Sequence, residues 1–130
     1  MSHDPSLMNT GELAFVGDAV YSLLVRQELV TGTPMRISEL HPASVKIVRA
    51  EAQAAAAELI APLLSAEETA VYTKGRNMKH GSYPKHSSHG DYARATGLEC
   101  LFGWLYLSGR QDRINELYAV IRAGRDSNED

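Results

Sequence analysis

The sequence has little of what stabilises secreted or membrane-inserted proteins. Among its 130 residues there is one cysteine, so no intramolecular disulfide can form, and the apolar run around Cys100 predicts a buried thiol in a reducing compartment. No uninterrupted apolar segment approaches the roughly 20 residues that a membrane-spanning helix requires. Residues 1–7 contain no basic stretch followed by an apolar one, so we expect neither a secretion signal nor membrane insertion.

The chain also lacks the strong positive charge of proteins that coat nucleic acids nonspecifically, since its formal net charge is −3. This charge is unevenly distributed. Residues 74–94, here called the basic segment, hold five Lys or Arg side chains and one Asp, whereas the remainder holds 8 basic and 15 acidic side chains. Such clustering favours a local contact with a polyanion, and a solvated surface loop is the alternative interpretation.

Hydrophobic spacing indicates the fold class. Apolar residues recur at intervals of three and four along the chain, which predicts an all-α helical bundle. The apolar share of 44% and the charged share of 22% are typical of globular proteins. We therefore predict a single domain over residues 1–130, with an ordered core at about 8–124 and a frayed tail at 125–130.

Capping signals place the helix ends. We predict helices at about 9–31, 42–61, 65–74, 91–107 and 111–123, a short helical turn at 38–41, and a long loop at 75–90. Capping boxes are expected at Asn9 with Glu12 and at Ser65 with Glu68, and Pro42 is expected at the first position of its helix. The glycines predicted to end helices are Gly32, in a left-handed conformation, Gly75 and Gly109.

Two carboxylates occupy positions that apolar residues would normally fill. Asp18 lies in the middle of an apolar helix beside Gly17, and Glu99 lies in the most apolar helix of the chain, which also contains glycines. A carboxylate removed from water shifts its pKa, pairs with a cationic side chain or binds a metal ion. A salt bridge to Lys46 or Arg49 is therefore the structural alternative to a metal site.

Several motifs resemble those of the ribonuclease III nuclease domain. The segment ELAFVGDAV at residues 12–20 resembles its signature helix, and ECLFGWLYL at residues 99–107 resembles its last catalytic helix. Between them stand KGRNMKHG at residues 74–81, Pro84-Lys85, Tyr92 and Ala95-Thr96. These motifs follow the family order over residues 11–107, and the chain is identified as a member of the short bacterial and plastid branch, Mini-ribonuclease III.

The resemblance implies a metal-dependent endoribonuclease. Family members form an all-helical homodimer with a valley for double-stranded RNA, and this branch has no separate double-stranded-RNA-binding domain. Carried over by position, Asp18 and Glu99 are the catalytic residues and the ligands of Mg2+, which Mn2+ can replace. Hydrolysis by the family leaves a 5′-phosphate and a 3′-hydroxyl.

The chain departs from the longer family members at two positions of the metal site. Ala14 stands where they have a glutamate, and Thr96 stands where they have an aspartate. The loss of two carboxylates favours one weakly held magnesium ion per subunit over two, because a second dication would depend on water and RNA phosphates for its charge balance. The Thr96 hydroxyl is predicted to support a metal-bound water.

The resemblance also gives the basic segment a role in RNA binding. The predicted RNA contacts are Lys74, Arg76, Asn77, Lys79 and Lys85, with His41, Lys46 and Arg49 as weaker candidates. The implied substrate is precursor large-subunit ribosomal RNA in the bacterial cytoplasm, with a ribosomal protein or pre-ribosomal particle as a further partner. Two alternatives remain: a catalytically silent RNA-binding dimer in ribosome assembly, and a helical scaffold with no nucleic-acid role.

Overall fold

The computed structural model describes residues 4–78 and 88–127, and these residues form six α-helices with no β-strand among them. The helices are α1 (Thr10–Thr31), α2 (Ile37–Val48), α3 (Ala50–Ile60), α4 (Ala66–Arg76), α5 (His89–Leu107) and α6 (Gln111–Ser127), with short 3-10 turns at Pro5–Leu7 and Ala61–Leu63. The predicted all-α fold is confirmed. Within the described ranges, none of the helices could cross a membrane.

Local capping explains where several helices start and stop. The Asn9 side chain accepts a hydrogen bond from the backbone N–H of Glu12 at 2.8 Å, and the Glu12 carboxylate accepts one from the backbone N–H of Asn9 at 3.2 Å. Ser65 and Glu68 form the same reciprocal pair before α4. After α5, Gly109 adopts a φ of 75°, which glycine accommodates without strain. These three predictions are confirmed.

The two helices that follow α1, α2 and α3, meet at a different residue from the one predicted. Pro42 lies inside α2 and does not begin a helix, because its missing N–H removes only the bond to the Ser38 carbonyl and the remaining turns stay paired. The break falls at Arg49, whose ψ of 160° is extended and separates α2 from α3. The predicted boundary at Pro42 was therefore wrong by seven residues.

Three other helix ends also differ from the prediction. Gly32 has a φ of −86°, so it follows α1 without the left-handed turn. Gly75 lies within α4, where a Cβ would come within 2.6 Å of the Cys100 sulfur, so this glycine serves close packing and does not end the helix. Helix α6 reaches Ser127, because Arg125 pairs with Glu28 and anchors a segment that was expected to fray.

Helix α5 forms the centre of the molecule and packs against α1, α3, α4 and α6. Leu98, Leu101 and Leu105 are fully buried, as is Phe102, because the surrounding helices cover nearly all sides of α5. Phe102 and Trp104 therefore belong to the core, as expected for an apolar helix. Tyr106, near the end of α5, is 52% exposed.

The backbones of α1 and α5 touch along a line here called the α1–α5 seam, which is formed at Gly17 and Gly103. A Cβ on Gly17 would lie 1.6 Å from the backbone carbonyl oxygen of Glu99, and a Cβ on Gly103 would lie 2.0 Å from that of Leu13. No side chain fits at these distances, so glycine is required at both positions. The seam fixes the register of α1 against α5 and hence the position of Asp18 relative to Glu99.

Candidate active site

The seam brings the two predicted carboxylates together, although they are 81 positions apart in the chain. Gly17 lies directly on the Glu99 backbone, so the next residue, Asp18, projects beside the Glu99 side chain. The two carboxyl groups are close enough to share a hydrogen bond. Asp18 is exposed and Glu99 is partly buried, so the prediction that Asp18 is removed from water was wrong.

The electrostatic environment of this pair is unfavourable for two negative charges. Burial raises the pKa of the Glu99 carboxyl to about 8, and the charge of Asp18 and the hydrogen bond with it act in the same direction. The Gln53 side-chain amide has the opposite, smaller effect on this pKa. At neutral pH and without a cation, the pair therefore retains a proton.

No basic side chain compensates for the pair in the part of the chain that the structure describes. The ion pairs found there involve Glu28, Glu58, Glu67, Glu68, Asp91 and Glu116, and none includes Asp18 or Glu99. Salt bridges to Lys46 or Arg49, the structural alternative, are therefore not formed among the described residues. The pair needs a proton or an external cation for charge balance.

The donor set fits a hard dication such as Mg2+. Mg2+ prefers oxygen ligands, keeps several of its waters, and is commonly bound by only one or two protein carboxylates. Within residues 4–78 and 88–127, no group of three or more His, Cys, Asp and Glu residues could hold a metal ion. A cation at Asp18 and Glu99 would therefore depend on water for most of its coordination.

The two positions with lost carboxylates place no further charge at this site. Ala14 lies one turn before Asp18 on α1 and is partly buried. Thr96 lies one turn before Glu99, is 5% exposed, and donates its hydroxyl proton to the backbone carbonyl of Tyr92 at 3.0 Å. Only the lone pairs of that hydroxyl remain for the predicted support of a metal-bound water.

Three of the predicted RNA contacts cluster at the C-terminal end of α4. Lys74, Arg76 and Asn77 are all exposed, and Lys74 is near enough to the Cys100 thiol to lower its pKa, against the stronger effect of burial. Arg76 lies over the Tyr72 ring, 5.9 Å from its centroid. The remaining two predicted contacts, Lys79 and Lys85, lie outside the described residues.

Two of the weaker RNA-binding candidates, His41 and Lys46, line other surface grooves. His41 lines a groove with Arg26 between α1 and α2, and Lys46 lines a pocket with Arg122 near the C-terminal end of α1. Because α1 rises 1.5 Å per residue, that end lies about 20 Å from Asp18. Arg49 is exposed at the break between α2 and α3.

Gln53 was not among the predicted site residues. Its position on α3 shares a face with Ala56, Ala57 and Ile60, and it is 3% exposed although it is polar. Its amide is the side chain of α3 that influences the Glu99 pKa. The sequence does contain an indication of its role. Gln53 is a polar residue on the apolar face of an alanine-rich helix, where a fourth apolar residue would be expected.

Comparison with known proteins identifies the family of this chain. The family model described as the ribonuclease III domain matches residues 11–110. The Mini-ribonuclease 3 of Brevibacillus brevis is 43% identical over 117 residues, covering 90% of this chain and 87% of the relative. The Mini-ribonuclease 3 of a Thermoanaerobacter species is 44% identical over 105 residues, covering 81% of this chain and 74% of the relative.

A solved structure supports the same relationship. The crystal structure of a Fusobacterium nucleatum protein superimposes with a TM-score of 0.85 at 26% identity, covering 95% of this chain and 99% of the other. Fold, motif order and sequence identity thus agree over most of the chain. The protein therefore belongs to the ribonuclease III family, in its Mini-ribonuclease 3 branch, and is an endoribonuclease.

Proposed function

We propose that the protein cleaves double-stranded RNA in a Mg2+-dependent reaction at Asp18 and Glu99. The observation that carries this proposal is the pairing of two carboxyl groups across the α1–α5 seam without a basic partner among the described residues. By contrast, Glu28 and Glu68, which lie between packed helices, are paired with arginine. A site that the fold leaves short of positive charge is suited to bind a dication together with a phosphate.

Asp18 and Glu99 would hold the Mg2+ ion, and Mn2+ offers the same preference for oxygen. When bound, such an ion would lower the pKa of a water molecule and shield the charge of the scissile phosphate. Hydrolysis would leave a 5′-phosphate and a 3′-hydroxyl. The side chains themselves orient the site. The seam holds Asp18 rigidly beside Glu99, and Glu99 must lose its shared proton before it can act as an anionic ligand.

The exposed end of α4 would position the RNA. Lys74 and Arg76 supply positive charge and Asn77 supplies hydrogen bonds, and the basic segment continues beyond them with Lys79 and Lys85. Contacts of this type follow the phosphates and 2′-hydroxyls of an A-form duplex and read shape more than base sequence. In this proposal the nuclease domain itself contacts the duplex.

An apolar surface beside the site supports a homodimer. Leu7 is 84% exposed, Phe15 is 82% exposed and Leu107 is 36% exposed, and Phe15 and Leu107 line one shallow pocket with Met8. Contiguous exposed apolar residues of this size are characteristic of protein–protein interfaces. Because Phe15 lies one turn from Asp18, pairing of two copies across this surface would place two carboxylate pairs along one duplex.

The substrate and location follow from the family resemblance. We propose that the RNA is the precursor of large-subunit ribosomal RNA in the bacterial cytoplasm, and that a ribosomal protein or pre-ribosomal particle presents it. A magnesium-dependent cut in each strand of a helix formed by the two precursor ends would suit an enzyme that reads duplex shape. Incubation with the precursor, followed by mapping of the new ends, tests this part separately.

The catalytic proposal is tested with a long RNA duplex in the presence and absence of MgCl2. Asp18→Asn and Glu99→Gln are each expected to reduce cleavage at least about a thousandfold, which is about 4 kcal/mol of transition-state stabilisation. Asp112→Asn, an exposed carboxylate on α6, is the matched control and should retain activity. Full cleavage by Asp18→Asn would refute the proposed site.

RNA binding measured with the same variants separates the enzyme from a catalytically silent RNA-binding dimer. The Asp18→Asn protein should bind duplex RNA as the unmodified protein does, because the exposed basic residues remain. The double variant Lys74→Ala/Arg76→Ala should weaken binding and lower the slope of log affinity against log salt by about one per lost phosphate contact. An unchanged slope would show that the end of α4 does not contact RNA.

A further inference from the structure

Gln53 is a buried polar residue that the proposed mechanism has not yet used. Its Nε2 donates a hydrogen bond to the backbone carbonyl of Val48 at 2.8 Å. That carbonyl belongs to the last turn of α2, which loses its helical partner at the break at Arg49. One half of the Gln53 amide is thus explained by the fold.

The other polar atom of the Gln53 amide, its oxygen, has no structural explanation. The Oε1 atom is buried and has no hydrogen-bond partner in the part of the chain that the structure describes. Buried acceptors are nearly always paired, so a ligand, an ion or a bound water is the expected partner of this oxygen. Since Nε2 is held by Val48, the amide cannot turn its oxygen outward without breaking that bond.

The orphaned oxygen belongs to the amide that contacts Glu99. The Gln53 amide lies within hydrogen-bonding reach of the Glu99 side chain. The oxygen is buried, and the Asp18–Glu99 site is the neighbouring place from which a partner can come. The site is also short of oxygen donors, because Ala14 and Thr96 supply no carboxylate.

We propose that Gln53 is a positioning residue of the cation site, and that its amide oxygen takes its missing hydrogen bond from the hydration shell of the cation held by Asp18 and Glu99. This inference rests on the proposed function and extends it. Groups in this position orient the hydration shell and typically change metal affinity ten- to a hundredfold when removed. Gln53 thereby offsets part of the donor loss at Ala14 and Thr96 without adding charge.

The experiment measures Mn2+ binding to the RNA-free protein, with free Mn2+ read from its EPR signal during titration with MnCl2. Mn2+ binding that is lost in the Asp18→Asn variant is assigned to the proposed site. Gln53→Met, which keeps the length but removes the amide, should weaken site binding about tenfold. Gln53→Glu should tighten it, because a carboxylate replaces the neutral oxygen next to the cation. Gln27→Glu, the same change at an exposed position nine residues from Asp18 on α1, should leave it unchanged.

The outcomes distinguish this inference from the proposed function. If Asp18→Asn binds Mn2+ as tightly as the unmodified protein, the cation site itself is refuted, and the role of Gln53 is refuted with it. If Asp18→Asn weakens binding and Gln53→Met does not, only the role of Gln53 is refuted. A purely structural role would lower thermal stability while leaving Mn2+ affinity unchanged. If Gln53→Met does not fold, Gln53→Glu decides, and a failure to tighten binding refutes the inference.

Discussion

Glu28 and Glu99 are both partly buried carboxylates between packed helices, and their surroundings differ in charge. Burial acts to raise the pKa of Glu28, but hydrogen bonds from Arg125 and Tyr118 and the charges of Arg125 and Arg122 outweigh it, so this pKa is lowered. At Glu99, burial is reinforced by Asp18, and the pKa rises to about 8. Arginine compensates the first carboxylate, whereas no basic side chain within residues 4–78 and 88–127 forms an ion pair with the second.

Glu68 repeats the arrangement of Glu28 at another place in the molecule. Two nitrogens of Arg113 donate hydrogen bonds to its two carboxylate oxygens, each at 2.8 Å, and this pairing lowers the Glu68 pKa. Glu68 also caps α4 through the backbone N–H of Ser65. Glu28 and Glu68 are therefore compensated by arginine, whereas Asp18 and Glu99 have no such partner among the described residues, which is why we propose them as the functional site.

The largest expected effect comes from separating the two carboxylates. Gly17→Ala would place a methyl group 1.6 Å from the Glu99 carbonyl oxygen, so α1 and α5 must move apart. We expect a loss of about 3 kcal/mol or more in the free energy of unfolding, measured by urea denaturation. Gly11→Ala is the matched control on α1, where the new Cβ would meet only the Asn9 side chain at 3.3 Å. A Gly17→Ala protein of normal stability would contradict the seam.

Removing the charge of Glu28 should have the next largest effect. Glu28→Gln leaves Arg125 largely buried without its anionic partner, and we expect a loss of about 2 to 3 kcal/mol in the free energy of unfolding at pH 7. Glu58→Gln serves as the control, because its ion pair with Arg94 spans 3.8 Å and is exposed, and it should cost less than about 0.5 kcal/mol. Equal losses of stability in the two variants would contradict the expectation that a buried ion pair contributes more than an exposed one.

Removing the charge of Glu99 should change the free energy of unfolding by a smaller amount, and it should stabilise the protein. Because the folded-state pKa is raised from 4.5 to about 8, the folded protein binds more protons than the unfolded chain, and stability falls as pH rises from about 4.5 to 8. Without metal ions, Glu99→Gln should therefore stabilise the protein by about 1 to 2 kcal/mol at pH 9, with little difference near pH 4.

Glu68→Gln is the matched comparison for Glu99→Gln. Its folded-state pKa is lowered, so its ionised form contributes stability above the unfolded pKa, and the substitution should destabilise the protein at pH 9. Urea denaturation of both variants at pH 4 and pH 9 measures the contrast. A Glu99→Gln protein less stable than the unmodified one at pH 9 would mean that the Asp18–Glu99 pair is not electrostatically strained.

Local signals predicted the helices well and their tertiary roles less well. The capping boxes before α1 and α4 involve residues three apart, so the sequence contains both partners of each bond. Pro42 was wrongly predicted to begin a helix. A proline inside a helix removes one backbone hydrogen bond, and packing can offset that loss. Gly75 was wrongly predicted to end a helix because a glycine that ends a helix and one that touches a neighbouring helix look alike in sequence.

Within the predicted frayed tail, residues 125–127 are helical for a related reason, and residues 128–130 lie outside the described residues. Nothing local holds Arg125 in place, and its partner Glu28 is 97 residues away. Gln53 was missed in the same way, since its significance depends on an unpaired oxygen and on Glu99, which lies on another helix. In each case the deciding contact is made across the fold.

The sequence by itself determined the helical class, the capped helix starts, the family and the identity of the two unusual acidic residues, because these depend on local spacing and motif order. Only the tertiary structure decided that Asp18 and Glu99 meet, that no described arginine or lysine pairs with them, and that Gln53 has a buried amide oxygen without a partner among the described residues. Helix propensity and capping act within a few residues, whereas burial and charge compensation depend on which helices pack together.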